Sequence, residues 1–211
     1  MKVKKLAGIM MVGLMATYAH GQQFGVPIAT DASPALAGTF DVSGGIVLGK
    51  YERSDINLYG GRFTFNLTDE LSLFGDAGLV DPDWWDMGFG VQGGALFRLP
   101  EFPDVPMDFG VRGTLGYSKN SRSRADLDVI TINAAGLASY TIDDMFSVYG
   151  VLGLAYIRAE VSEGRFSSSN SETEPVVGVG VLANFTPELS AYAEFVHIES
   201  AWIGLGGKFR F

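Results

Sequence analysis

Three sets of residues in this chain are of types that do chemistry. His197, Glu199 and Ser200 fall together in EFVHIES, and a serine, an imidazole and a carboxylate are the parts of a nucleophilic hydrolase. The stretch DPDWWD, Asp81–Asp86, gathers three carboxylates, oxygen donors of the kind calcium takes. Scattered singly are Asp41, Arg62, Asp76, Arg98, Asp108, Arg112, Glu194, Lys208 and Arg210, four acids and five bases that nearly cancel. The chain has no cysteine, which excludes disulfides, thiol catalysis and thiolate metal sites. What the remaining groups can do depends on the elements that hold them.

The first element is an address. MKVKK is a basic start, Leu6–Ala19 is an apolar run too short to span a bilayer, and Ala19 and Gly21 offer small residues before Gln22. A secretory signal peptide over residues 1–21 is therefore expected. Its loss removes Lys2, Lys4 and Lys5 and takes the formal charge from −9 to −12. A balance that acidic repels phosphate backbones and argues against a nucleic-acid partner. Beyond the leader no apolar run is long enough for a membrane helix. Charged residues are only 18% and glycine reaches 28 of 211, so the chain is apolar without a helix to insert.

What recurs instead is alternation with a two-residue period, the mark of strands with two unlike faces. Ten such segments are read, over Thr39–Gly49, Ile56–Leu67, Leu71–Val80, Trp85–Leu99, Met107–Ser118, Leu127–Tyr140, Phe146–Arg158, Val176–Phe185, Leu189–Ile198 and Ala201–Phe211. Three connections share one design: Leu67–Gly75 (LTDELSLFG), Ile142–Gly150 (IDDMFSVYG) and Phe185–Ala193 (FTPELSAYA). The connections at the other end are expected to be longer polar loops, Lys119–Asp126 and Ala159–Pro175 above all. Tight turns at one end and longer loops at the other are the pattern of a membrane barrel.

The faces support this. Met107, Phe109, Val111, Leu115 and Tyr117 oppose Asp108, Arg112, Thr114 and Ser118, and Tyr59, Phe63, Phe65 and Leu67 oppose Arg62, Thr64 and Asn66. A soluble sandwich also alternates, but its solvated face is dense in charge. Here the polar faces carry small residues and isolated charges of both signs, as a narrow lumen requires. Aromatic residues gather at both strand ends, with Tyr51, Trp84, Trp85, Tyr117, Tyr156 and Trp202 expected to form the belt at the loop end. The expected fold is all-β: a closed antiparallel transmembrane barrel of ten strands, eight being the alternative. Residues 22–37 would form a short periplasmic segment and 38–211 the barrel.

With its signal peptide, aromatic-rich tight turns and a closing strand that ends on Phe211, the chain resembles the small outer-membrane β-barrel superfamily of OmpA transmembrane domains, OmpX and opacity-type proteins. The resemblance implies a Gram-negative outer membrane, contact with its lipids including lipopolysaccharide, and a monomer. It also implies that Ile203, Leu205, Phe209 and Phe211 are read as a signal by the barrel-assembly machinery. Lipid A deacylases of similar fold carry serine two residues after the histidine, followed by asparagine. Here Ser200 is three residues on and Ala201 follows, so that motif fails.

No catalytic, cofactor-binding or metal-binding residue is assigned. The acids of Asp81–Asp86 lack a regular ligand spacing. Gly178 and Gly180 lie inside a strand with no helix after them, so they are no phosphate loop. The nine scattered charges are expected to interlock as ion pairs that plug the lumen. The reading is a non-enzymatic barrel with an envelope-integrity or surface-interaction role. A narrow passive channel is its rival, and an outer-rim lipid hydrolase comes third.

Overall fold

The computed structural model describes residues 31–33, 36–51, 54–83, 85–123, 125–164, 166–198 and 200–211. The expected signal peptide, most of the segment 22–37, Trp84, Glu199 and the side chain of Tyr51 lie outside the described residues.

Ten strands form: β1 (Phe40–Tyr51), β2 (Ser54–Asn66), β3 (Leu71–Pro82), β4 (Gly88–Arg98), β5 (Asp108–Arg122), β6 (Ala125–Thr141), β7 (Phe146–Glu163), β8 (Phe166–Asn184), β9 (Leu189–Ile198) and β10 (Ser200–Arg210). Each pairs antiparallel with the next, and β10 returns to β1, so the sheet is a closed barrel. Closure satisfies every strand edge within the barrel, the condition for putting β-structure into lipid.

The final strand is part of that condition. Its ladder runs from Asp41↔Arg210 to Gly49↔Trp202, and the Phe211 amide donates to the Phe40 carbonyl at 2.8 Å. Phe209 and Phe211 meet edge to face at 4.8 Å on the outward side. Deleting Phe211 should lower the amount of folded, heat-modifiable barrel recovered from outer membranes. Unchanged insertion in cells would show that the ladder alone carries assembly and the terminal ring does not.

The tight turns are built alike. The amides of Leu67, Ile142 and Phe185 donate to the carbonyls of Leu71, Phe146 and Leu189 at 2.8, 2.9 and 2.9 Å. The Thr68 and Thr186 hydroxyls, and the Asp143 carboxylate, accept the amides that the turn leaves over.

The other end differs from expectation. Lys119–Asp126 and Ala159–Pro175 are for the most part strand, not loop. β5 and β6 pair out to Arg122↔Ala125, and β7 and β8 out to Glu163↔Phe166. Connections of two residues suffice because Ser123 and Gly164 take left-handed backbone angles, φ 53° and 60°. Polar composition signalled water around these residues, and an antiparallel ladder tolerates water on both faces. Strands β5 to β8 therefore rise as a wall above the rest of the rim. Near its top the Ser121 hydroxyl and the Lys119 ammonium hold the Asp126 carboxyl below its ordinary range.

The outward face is apolar as the alternation required: Phe63, Leu79, Phe97, Val111, Leu115, Ile132, Leu152, Val179, Phe195 and Ile203 are all exposed there. Phe40, Phe63 and Phe65 stack at the turn end, with centroids 5.4 and 4.8 Å apart. The belt at the loop end is formed by Phe89 and Tyr117, 6.3 Å apart, with Tyr156. Trp85 and Trp202 do not belong to it. They are 7% and 3% exposed and packed inside the barrel. For Trp202 the parity of β10 decides, since it alternates with the outward Ala201 and Ile203.

Candidate functional site

Among the described residues, the buried polar groups collect in the lumen. It has three zones, and the charges that the sequence suggested as one network are divided between two of them.

The zone under the raised wall is a hydrophobic core. Val47, Ile56, Leu58, Val80, Leu127, Val129, Ile157, Val176, Val196 and Ile198 turn inward with the two tryptophans, and none is more than 7% exposed. Inside, these side chains pack on one another; outside, the face passes from Tyr59, Ile130 and Val177 to the polar Asn57, Asp128 and Arg158 towards the wall. Trp202 lies over Gly49, where an added Cβ would come within 2.0 Å of its ring. Gly180 makes the same room for Tyr149, whose ring would be 2.3 Å from a Cβ. Gly178 likewise makes room for the inward Val196 and Val151, so the glycines of β8 leave space for inward side chains rather than cradle a phosphate.

The middle zone is a compact cluster of charge. Arg62 grips Asp76 with two hydrogen bonds, Nε to Oδ1 at 2.7 Å and Nη2 to Oδ2 at 2.8 Å. Gln92 donates to the same Oδ2 at 2.8 Å, and the Arg62 guanidinium sits 4.2 Å from the Phe74 ring centroid. The register of β2 and β3 sets this pair directly opposite, Arg62↔Asp76. Arg112, wholly buried, lies within the field of Arg62, Glu194 and Asp76. The Tyr149 hydroxyl hydrogen-bonds Glu194, and Tyr192 packs beside it. Two buried guanidiniums and two buried carboxylates balance one another, which is how charge is kept out of water at tolerable cost.

The third zone, towards the termini, is a cavity of about 660 Å³ lined by Asp31, Ser33, Asp41, Arg62, Thr64, Arg98, Lys208 and Arg210 among others. Asp41 accepts from Arg210 Nε at 2.8 Å and faces Lys208 Nζ at 3.8 Å. Arg98 donates to the Ser33 carbonyl and the Ser72 hydroxyl, both at 2.7 Å. Asp108 is half-buried at the rim, within hydrogen-bonding reach of Ser33. The described part of the segment ahead of β1 thus threads into this mouth. Ala32 is 1% exposed, and its amide donates to Ser139 Oγ at 2.7 Å.

The nine charges predicted as one network therefore form two groups. Arg62, Asp76, Arg112 and Glu194 are the deep one; Asp41, Arg98, Asp108, Lys208 and Arg210 stand around the mouth. Asp31, Ser33, Ser72 and Tyr149 join them without having been picked out. For Tyr149 a signal existed, its inward parity between the outward Val148 and Gly150. For Asp31 and Ser33 none did, since no periodicity precedes β1.

The candidate hydrolase does not assemble. His197 is exposed on the outward face, opposite Ala201 and Val177, while Ser200 belongs to the inward parity of β10. Among the described residues no three of His, Asp and Glu approach closely enough to hold a metal ion. Asp83 instead accepts the Asp55 amide at 3.0 Å, bracing the loop end.

No functionally curated protein matches the sequence. Among solved structures the chain is similar to the attachment invasion locus protein Ail of Yersinia pestis, with 17% identity, 83% of this chain and 100% of that one covered, and a TM-score of 0.39. Neisserial surface protein A gives 16% identity, 82% and 96% coverage and 0.43. The outer membrane protease OmpT of Escherichia coli gives 10%, 85% and 98%, and 0.50. Likeness at these identities speaks for the fold alone. The family of outer membrane protein β-barrel domains matches residues 7–204, nearly the whole chain, and with the closed ten-stranded sheet already described, the protein belongs to that family.

Proposed function

We propose that this outer-membrane barrel is a non-conducting, non-enzymatic envelope protein whose lumen is its structural core and whose raised wall is its working surface. The observation that carries this is the continuous filling of two of the three lumen zones: the apolar zone under the wall, and below it the deep charge cluster around the wholly buried Arg112. A solute entering at the termini meets Arg62, Phe74 and Arg112 before any way out. The family supplies the rest of the proposal: export by a cleaved signal peptide, insertion by the barrel-assembly machinery reading Ile203, Leu205, Phe209 and Phe211, lipopolysaccharide against the outward face, and a monomeric state. The 660 Å³ mouth favours the second reading, a narrow channel, because it already hydrates one end of the lumen.

Planar-bilayer recording of the refolded protein separates the two readings. The wild type is expected to show no stable conductance steps, and Arg112→Ala to show small ones, because it removes a large, wholly buried side chain from the middle zone. A large, stable single-channel conductance in the wild type would establish the channel and overturn the plug.

A further inference from the structure

The mouth at the turn end is unevenly charged. Around Asp41 on β1 stand Arg98, Lys208 and Arg210, each within the field of the others. Asp41 meets only part of that charge. Its Oδ1 is taken by Arg210 at 2.8 Å, and the Lys208 ammonium stays 3.8 Å from Oδ2, beyond hydrogen-bond length. Arg98 is 9% exposed and pinned by two hydrogen bonds, yet both acceptors, the Ser33 carbonyl and the Ser72 hydroxyl, are neutral. The next acid, Asp31, is turned to Ser33, whose amide and hydroxyl donate to its Oδ1 at 2.9 and 2.7 Å. A guanidinium and an ammonium therefore keep unspent donors at the edge of an open volume.

The far side carries the reverse sign. In the closed ring of ten strands β6 lies across from β1, and the turn after β6 holds two acids. Asp143 closes the turn, accepting the Met145 and Phe146 amides at 2.9 and 2.7 Å. Asp144 lines the mouth, is exposed to it, and among the described residues has no hydrogen-bond partner. Between the two sides the lining is partly apolar, with Phe74, Leu96, Leu182 and Phe185. A volume of about 660 Å³ is in the range of small-molecule sites. As a sphere it is about 11 Å across, and three residues of extended peptide span about 10 Å.

We propose that the mouth is a binding site for a short zwitterionic peptide, its C-terminal carboxylate on Arg98 and Lys208 and its N-terminal ammonium at Asp144. A lone anion fits less well, because it leaves Asp144 unanswered and must approach Asp31 and Asp41 as well as the cations. A dipolar ligand answers both sides and brings no net charge into the cavity. Arg98 is already held in place by Ser33 and Ser72, which spares the cost of ordering it on binding. The site goes beyond the plug proposed above. Because the middle zone closes the lumen behind it, the peptide enters and leaves by the same opening. Conductance reads the middle zone and binding reads the mouth, so either proposal can fail alone.

The test is calorimetric titration of the full barrel, in lipid nanodiscs that leave both ends open to solution, with tri-alanine. One saturable site is expected. Acetylating the peptide amine or amidating its carboxylate should each weaken binding by about tenfold or more, since each removes a charge-assisted contact. Asp144→Asn should weaken tri-alanine and leave the acetylated peptide unaffected, and Lys208→Gln should do the same for the amidated one. Asp144 stands on an exposed turn whose closure uses Asp143, so its variant keeps the test open if Lys208→Gln fails to fold. No saturable binding, or binding indifferent to blocked ends, would overturn the proposal. Complete competition by acetate or inorganic phosphate would reduce the site to one for anions and overturn it too. So would binding gained only on deletion of residues 22–30, which would make the chain's own segment the occupant.

Discussion

Asp76→Ala should destabilise the barrel by about 3–5 kcal/mol, the cost of leaving a buried charge without its partner. Asp76 is 4% exposed and takes two hydrogen bonds from Arg62 and one from Gln92. Its loss removes the carboxylate that Arg62 grips and leaves two like charges, Arg62 and Arg112, beside Glu194. Hydrophobic replacement of both partners is a different experiment. Arg62→Met with Asp76→Leu removes cation and anion together, and buried pairs exchanged in this way often lose little. The double variant should therefore recover much of what Asp76→Ala loses. At the mouth the same logic predicts little, because Arg210 retains water around its side chain, and Arg210→Ala should cost under about 1 kcal/mol. Unfolding titrations in lipid vesicles, followed by the fluorescence of the buried Trp85 and Trp202, would rank the variants. Equal losses at Asp76 and Arg210 would mean that the middle zone is as wet as the mouth.

How much of this was legible in the sequence follows from where two faces meet unlike surroundings. In Phe63–Asn66 and Val111–Thr114 one face meets lipid and the other a polar lumen, so alternation fixed both strand and facing, and the structure agrees residue by residue. In Ile46–Leu48 and Val176–Val179 both faces are apolar. The period fades there, and the hydrophobic core under the wall stayed hidden. Trp85 and Trp202 were misplaced for a related reason: residue type argued for the interface, while parity and the loop geometry argued for the interior. The wall was missed because Ser, Asn, Thr and Glu are equally at home in a loop and in a hydrated hairpin. Only the ladder, which no single residue announces, tells the two apart. The site was legible as composition, charges of both signs on inward faces, but not as two clusters. That division depends on Asp31 and Ser33 entering the mouth and on Phe74 and Gln92 filling the middle. The first is a contact between segments far apart in the chain, and the second depends on the register of neighbouring strands.

The facing itself makes the other large prediction. Leu115 is 60% exposed on the outward side of β5, midway between Phe109 at the turn end and Lys119 at the loop end. An arginine there must either sit in hydrocarbon or drag headgroups and water towards it, at about 2–4 kcal/mol near the bilayer midplane. The matching inward substitution needs a site with room, which excludes Thr114, since that residue is 6% exposed beside Arg112 and an arginine there would overpack the middle zone. Thr64 serves instead. It lines the 660 Å³ mouth and stands opposite Asp41 in the β1–β2 register. Thr64→Arg gains a carboxylate neighbour and open volume, so its cost should stay under about 1 kcal/mol. Leu115→Arg should accordingly unfold at clearly lower denaturant than Thr64→Arg in vesicles, while in detergent, where headgroups adapt readily, the gap should narrow. If Thr64→Arg proved the worse of the two in vesicles, the inward and outward faces of the barrel would have to be exchanged, and the deep charge cluster with them.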